Sequence, residues 1–127
     1  MPTTTSQLVI DAKTRIENLD PEQTARELAD GALVVDLREA AERDETGAIP
    51  GAVHVPRGFL EFKADPTLPT HLADLDPHRR TILYCAVGGR SALAVLSLQE
   101  LGYTDVAHLD GGIKAWLEAG RPVEITQ

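Results

Sequence analysis

Apolar residues along the chain fall into short continuous runs, separated by longer stretches in which they recur at helical spacing. Each run is rich in aliphatic or β-branched residues and is bounded by charged residues, turn-forming residues or a glycine-containing segment, which predicts a strand. The four predicted strands cover residues 33–36, 53–55, 81–84 and 105–109.

The stretches between the runs predict helices. Residues 8–19 carry apolar side chains at helical spacing behind Ser6, a candidate N-cap. Asp20 and Pro21 are typical of the start of a second helix, which Gly31 ends. Further helices are predicted from Gly58 to Lys63, from Ala92 to the stop at Gly102, and from Ile113 to Gly120.

Strands that alternate with helices predict a parallel sheet between two helical layers. The expected fold is a three-layer α/β/α domain with a mainly parallel central sheet of four or five strands. We expect residues 1–19 to form an N-terminal helical extension and residues 20–127 to form a single domain. Ligands bind such sheets beyond the carboxyl ends of the strands, and Cys85 directly follows a predicted strand. We therefore look for chemistry at that edge.

Composition and charge narrow the classes of function. The 127 residues include 20 Asp and Glu against 12 Lys and Arg, a net charge of -8, which argues against a nucleic-acid partner because phosphates are bound mainly through basic side chains. No apolar run reaches the roughly 18 residues of a membrane-spanning helix, and the first residues lack the basic and apolar regions of a signal peptide. We expect a cytoplasmic protein without a membrane partner.

The loop after the third predicted strand carries the candidate chemistry. Cys85 is the single cysteine, so it has no disulfide partner within the chain. In the segment 85–91, two glycines allow a tight turn with inward N–H groups, while Arg90 and the start of the next helix add positive charge. Such a cradle favours a thiolate and a bound oxyanion. The plain alternative is that Cys85 is a small buried apolar residue, as free cysteines often are.

Other polar residues stand near predicted strand ends. Asp36, Arg38 and Glu42 have the residue types of a catalytic set, but we interpret them as structural: Asp36 accepts backbone N–H bonds, and Arg38 and Glu42 form a surface ion pair. Arg57 either lines the mouth of the Cys85 site as a second cation or lies in a solvated loop. The four histidines are His54, His71, His78 and His108. They lack the spacing of metal ligands, so neither a metal site nor a cofactor is expected, and those at 54 and 108 should be packed or half exposed in strands.

Three separated segments together resemble one protein family. They are residues 35–38 with Glu42 and 47–52, residues 84–91, and residues 109–112 with Trp116 and Gly120. In this order and spacing they are similar to the signatures of the rhodanese-like sulfurtransferases, in particular the single-domain rhodaneses, and the resemblance covers about residues 20–123. It implies that residues 20–127 form a rhodanese-like domain.

The resemblance also implies a persulfide mechanism. The Cys85 thiolate would attack the outer sulfur of an anionic donor, either thiosulfate or a persulfide, and pass that sulfur to cyanide or to a thiol. The implied substrate-binding loop consists of Ala86, Val87, Gly88, Gly89 and Arg90. Since the chain has no second cysteine, the acceptor must be another molecule, and a protein thiol is one candidate.

Two other functions stay open at this point. One is a non-catalytic rhodanese-like module that binds a partner or senses an anion, with Cys85 as a relic. The other is a small phosphatase or arsenate reductase. Related cysteine phosphatases have one residue more between Cys and Arg than the four that separate Cys85 and Arg90, and no aspartate beside this loop is an obvious proton donor for a leaving alcohol. The shorter loop favours sulfur over phosphate.

Overall fold

A parallel five-stranded sheet forms the middle layer of the protein, whose structure, a computed structural model, describes residues 1–126. The strands are β1 Glu17–Leu19, β2 Leu33–Asp36, β3 Val53–His54, β4 Thr81–Tyr84 and β5 Val106–Leu109. Their order across the sheet is β1-β5-β4-β2-β3, and all pairs are parallel. The central strand is β4, so the residue that follows it lies in the middle of the carboxyl edge. The last residue of the predicted domain, Gln127, lies outside the described residues.

Helices cover both faces of this sheet. They are α1 Thr5–Thr14, α2 Pro21–Ala29, α3 Ala40–Thr46, α4 Leu60–Ala64, α5 Gly89–Glu100 and α6 Gly112–Glu118, with a 3-10 turn at Arg57–Phe59. Asp20 caps α2, since its carboxylate accepts the N–H of Gln23 at 2.8 Å, as the Asp-Pro pair predicts. The strands and helices predicted from residue 20 onward occur in the predicted order, and α3 is an additional helix that the sequence analysis did not predict.

Alternate residues of the strands fill two separate cores. Val35 and Leu83 point to the face covered by α4 and α5, whereas Val34 and Ile82 point to the face covered by α2 and α6. All of these side chains are buried, as expected for a parallel sheet enclosed by helices. The three-layer α/β/α fold with a parallel sheet is therefore confirmed, with five strands.

The prediction of one helix up to residue 19 is wrong at its C-terminal end. The N-cap prediction is also wrong, because α1 begins after the cap Thr4 and Ser6 lies within the helix. Helix α1 ends at Thr14, and Glu17–Leu19 is an edge strand paired with β5. A three-residue strand with one buried side chain, Leu19, has no period that sequence reasoning could separate from a helical turn. The first residues thus supply both a helix over α5 and a strand of the sheet itself.

Candidate functional site

Cys85 lies at the end of the central strand with its side chain almost fully buried. Its Sγ accepts hydrogen bonds from the backbone N–H groups of Gly88 at 3.2 Å and Ser91 at 3.4 Å. Both donors belong to the first turn of α5 or to the residue that caps it, so the sulfur sits at the positive end of a 12-residue helix. Two N–H donors and a helix N-terminus are suited to hold negative charge on sulfur.

Hydrogen bonds to the first turn of α6 hold the loop around Cys85 in place. The Cys85 carbonyl accepts the N–H of Ile113 at 2.9 Å, and the Ala86 carbonyl accepts the N–H of Lys114 at 3.2 Å. Gly112 has a φ of +60°, and a Cβ there would collide with the carbonyls of both loop residues. Gly112 of the third sequence segment is thus required for the close approach of backbone to backbone.

A cavity of about 280 Å³ opens beside the sulfur. It is lined by Thr5 and Val9 of α1, by Cys85, Val87, Gly89 and Arg90 of the loop, and by Leu93. Most of its wall is apolar, and Val87 is largely exposed at the rim. One wall therefore comes from the N-terminal helix, which sequence reasoning connected with no part of the site.

Arg90 reaches this cavity, but its charge is shared with an acid. Its two terminal nitrogens donate to the two carboxylate oxygens of Glu42 at 2.9 and 2.8 Å. Hydrogen bonding from Arg90 lowers the pKa of Glu42 to about 2, and Glu42 in turn raises the pKa of Arg90. The sequence analysis pairs Glu42 with Arg38 instead, because Glu42 and Arg90 lie 48 positions apart and no local pattern connects them.

Arg57 is engaged away from the sulfur. Its guanidinium donates to both carboxylate oxygens of Glu61 at 2.9 and 3.0 Å and to the hydroxyl of Ser97 at 3.2 Å. Within residues 1–126 the cavity over Cys85 is lined by other side chains. The structure therefore does not bring Arg57 to the mouth of this cavity, and neither is Arg57 an unpaired loop residue.

The predicted surface ion pair of Arg38 and Glu42 is wrong. Arg38 is buried, and its guanidinium donates to both carboxylate oxygens of the fully buried Asp36 at 3.0 and 2.9 Å. An i,i+4 pair presumes a helix that contains both residues, whereas α3 begins only at residue 40. Asp36 also accepts the backbone N–H of Arg38 at 3.0 Å, as the structural interpretation of this carboxylate predicts.

This buried ion pair braces the carboxyl edge beside β4. The hydroxyl of Tyr84 donates to Asp36 at 2.8 Å and accepts the N–H of Ile49 at 3.1 Å. Burial favours the neutral acid, but hydrogen bonds and charge from Arg38 outweigh it and lower the pKa of Asp36. The network fixes the residue just before Cys85, and it takes no part in the cavity.

Ser91 and His108 are buried polar residues beside Cys85 to which the sequence analysis gave no role at the site. The thiol of Cys85 donates to the hydroxyl of Ser91 at 3.5 Å, and that hydroxyl lies 2.8 Å from Nδ1 of His108. His108 is fully buried within β5. A polar side chain in a continuously apolar strand needs a buried partner, and that was the signal available in the sequence.

Two general features of the described residues bear on the class of site. Among residues 1–126, no cluster of three or more His, Cys, Asp or Glu side chains is arranged to hold a metal ion. Within the same residues, every helix is too short or too polar to cross a membrane. The expected location in the cytoplasm stays a prediction.

Comparison with known proteins identifies the family. A family model described as Rhodanese-like domain matches residues 20–119. The probable adenylyltransferase/sulfurtransferase MoeZ of Mycobacterium tuberculosis is 34% identical over 89 residues, which cover 70% of this chain and 21% of the relative. The chain spans about a fifth of the length of the first curated relatives it matches. Relatives named sulfurtransferases support sulfur transfer as the general class of chemistry.

Solved structures agree with the fold. A protein of unknown function from Rhodopseudomonas palustris, described as a possible tyrosine phosphatase, has a TM-score of 0.88 and 35% identity, with 98% of this chain and 99% of that chain covered. A thiosulfate sulfurtransferase from Pseudomonas aeruginosa has a TM-score of 0.75 and 30% identity, with 94% of this chain and 22% of that chain covered. The sheet order, the loop geometry and these matches together show that the chain belongs to the rhodanese-like domain family.

Proposed function

We propose that this protein is a sulfurtransferase that carries a sulfane sulfur on Cys85 as a persulfide. The donor is an anion, thiosulfate or a persulfide, and the acceptor is cyanide or a thiol, including a thiol of another protein. The observation that carries the proposal is the placement of Sγ, which lies at the N-terminus of α5 and accepts two backbone N–H groups.

That placement supports the following chemical steps. The Cys85 thiolate attacks the outer sulfur of thiosulfate, a new S–S bond forms, and sulfite leaves with the electron pair of the broken S–S bond. The negative charge then lies on the outer persulfide sulfur, which we assign to the loop of residues Ala86 to Gly89. An acceptor thiolate or cyanide attacks this sulfur, and the Cys85 thiolate is restored with its electron pair.

The size and charge of the cavity favour a small donor that carries a negative charge at one end. Its volume of about 280 Å³ accommodates a small molecule or the tip of a protein persulfide. Arg90 is the basic side chain of the cavity wall, and Glu42 offsets its charge at 2.8 Å. We therefore assign Arg90 the role of attracting the donor, assisted by the helix N-terminus, and we assign no role to Arg57.

The likeness to a structure described as a possible tyrosine phosphatase favours testing phosphate esters as well. Four residues separate Cys85 from Arg90, and this cradle is shorter than that of the related phosphatases. Hydrolysis of para-nitrophenyl phosphate is therefore expected to be absent. Turnover of this ester that Cys85→Ser abolishes would move the protein to the phosphatase class.

The direct test is the intact mass of the reduced protein after incubation with thiosulfate and, separately, with glutathione persulfide. We expect a gain of one sulfur atom with at least one donor, reversed by cyanide or by a thiol. Cys85→Ser is the matched control, because it keeps a small polar side chain in the cradle but forms no persulfide. No gain of sulfur with either donor would refute the proposal and favour a binding module.

A further inference from the structure

A chain of hydrogen bonds, buried from Cys85 to His108, leads to the exposed Asn18 at the edge of the sheet. The Cys85 thiol lies 3.5 Å from Ser91 Oγ, which lies 2.8 Å from Nδ1 of His108. On the far side of the ring, Nε2 of His108 lies 2.7 Å from Oδ1 of Asn18 in β1. Both Ser91 and His108 are fully buried, so each of their polar atoms depends on partners within the protein.

Asn18 determines which ring nitrogen of His108 carries the hydrogen. The amide nitrogen of Asn18 donates to the carbonyls of Lys13 at 2.9 Å and Ile16 at 3.2 Å, so its oxygen must face the ring. An oxygen acceptor there requires a hydrogen on Nε2, which leaves Nδ1 as an acceptor in the neutral ring. The Ser91 hydroxyl therefore donates to His108 while Cys85 is a thiol.

Deprotonation of Cys85 changes the number of hydrogens that Cys85, Ser91 and His108 share. If the proton left the site altogether, the single hydroxyl hydrogen of Ser91 would face two acceptors, the thiolate and Nδ1 of His108, and one of them would stay without it. If the proton moves to His108, Nδ1–H donates to Ser91 and the Ser91 hydroxyl donates to the thiolate. In that state every polar hydrogen of the chain has an acceptor.

The charges around His108 are consistent with a ring that is neutral at rest. Burial lowers the pKa of His108 to about 4, with Asp110 favouring the charged ring and Lys13 opposing it. Lys13 and Asp110 are themselves paired at 2.7 Å, so they leave little net charge beside the ring. The group that changes this balance is the thiolate of Cys85, which favours a positive charge on the far side of Ser91.

We propose that His108, oriented by Asn18, receives the thiol proton of Cys85 through Ser91 and holds it while Cys85 acts as a nucleophile. The S–H bond breaks and its proton goes to Ser91 Oγ, while the hydroxyl proton of Ser91 goes to Nδ1 of His108. The products are a thiolate and an imidazolium, and no electrons are exchanged. His108 acts through Ser91 and is a positioning residue. The inference rests on the proposed function in taking Cys85 as the nucleophile.

The rate of alkylation of Cys85 by iodoacetamide as a function of pH tests this coupling. His108→Asn keeps a neutral hydrogen-bonding group near Ser91 but cannot hold the proton, and Ser91→Ala removes the connecting hydroxyl. We expect each variant to lower the rate at pH 7 at least about tenfold and to move the profile to higher pH. The matched control is His78→Asn at an exposed position, which should leave the profile unchanged. A wild-type profile in His108→Asn would overturn the proposal.

A second measurement uses the wild-type His108 and Ser91 side chains and therefore does not depend on whether the variants fold. Nitrogen NMR of the His108 ring should show hydrogens on both nitrogens at a pH where half of Cys85 is thiolate, and a neutral ring at the same pH in Cys85→Ser. A ring that carries its hydrogen on Nε2 alone beside the thiolate would overturn the proposal. Neither measurement needs a sulfur donor, so a protein that forms no persulfide refutes the proposed function without deciding this inference.

Discussion

Removal of the Asp36 carboxylate would leave a charged guanidinium buried without its counter-ion. Arg38 is 1% exposed and Asp36 is 0% exposed. Asp36→Ala removes both hydrogen bonds of the pair, at 3.0 and 2.9 Å, together with the acceptor of the Tyr84 hydroxyl. Arg38 would keep only neutral acceptors, such as the Gly47 carbonyl at 2.7 Å. Breaking a buried pair in this way costs about 3–5 kcal/mol.

Urea denaturation at pH 7, followed by the fluorescence of Trp116, measures this loss as a change in the free energy of unfolding. The control is Glu22→Ala, which breaks the exposed pair with Arg26 and should cost less than about 1 kcal/mol. The double change Asp36→Leu with Arg38→Met removes both buried charges. It leaves only the partly exposed Arg43, which bonds Asp36 at 3.1 Å, without its acid, so it should recover much of the loss. A single variant as stable as the Glu22→Ala control would contradict the buried ion pair.

Three further predictions follow from the site. In a Cys85→Ser background, the pKa of His108 is about 4 in the folded protein and 6.5 in the unfolded chain, so the unfolded chain takes up a proton first as the pH falls. Lowering the pH from 6.5 to 4 should therefore reduce the free energy of unfolding by roughly 3 kcal/mol. Urea denaturation at each pH measures this change, and the free energy of unfolding should fall less steeply with decreasing pH when His108 is also replaced by Asn. Gly112→Ala puts a Cβ against the loop carbonyls at a φ of +60° and should cost at least about 2 kcal/mol on unfolding, with slower alkylation of Cys85. Glu42→Gln should lower the KM for thiosulfate up to about fivefold at low salt, because it releases the charge of Arg90, and an unchanged KM would remove Arg90 from donor attraction.

Elements with local signals were predictable without the tertiary structure. The strand before Cys85 is a short apolar run, and α2 begins at an Asp-Pro pair whose capping contacts lie within three residues. The same holds for the stop at Gly102, where a φ of +97° favours glycine. The end of α1 and the edge strand β1 lacked such signals, because pairing with β5 rather than periodicity makes residues 17–19 a strand.

The sequence by itself therefore determined the alternation of strands and helices, the position of Cys85 after a buried strand, and the spacing from Cys85 to Arg90, since all of these depend on neighbours along the chain. The tertiary structure alone decided which charges meet. Glu42 pairs with Arg90 across 48 residues, and Asn18 orients His108 across 90 residues. Burial and long-range hydrogen bonds select such partners, and they depend on how the sheet brings its strand ends together rather than on any local pattern.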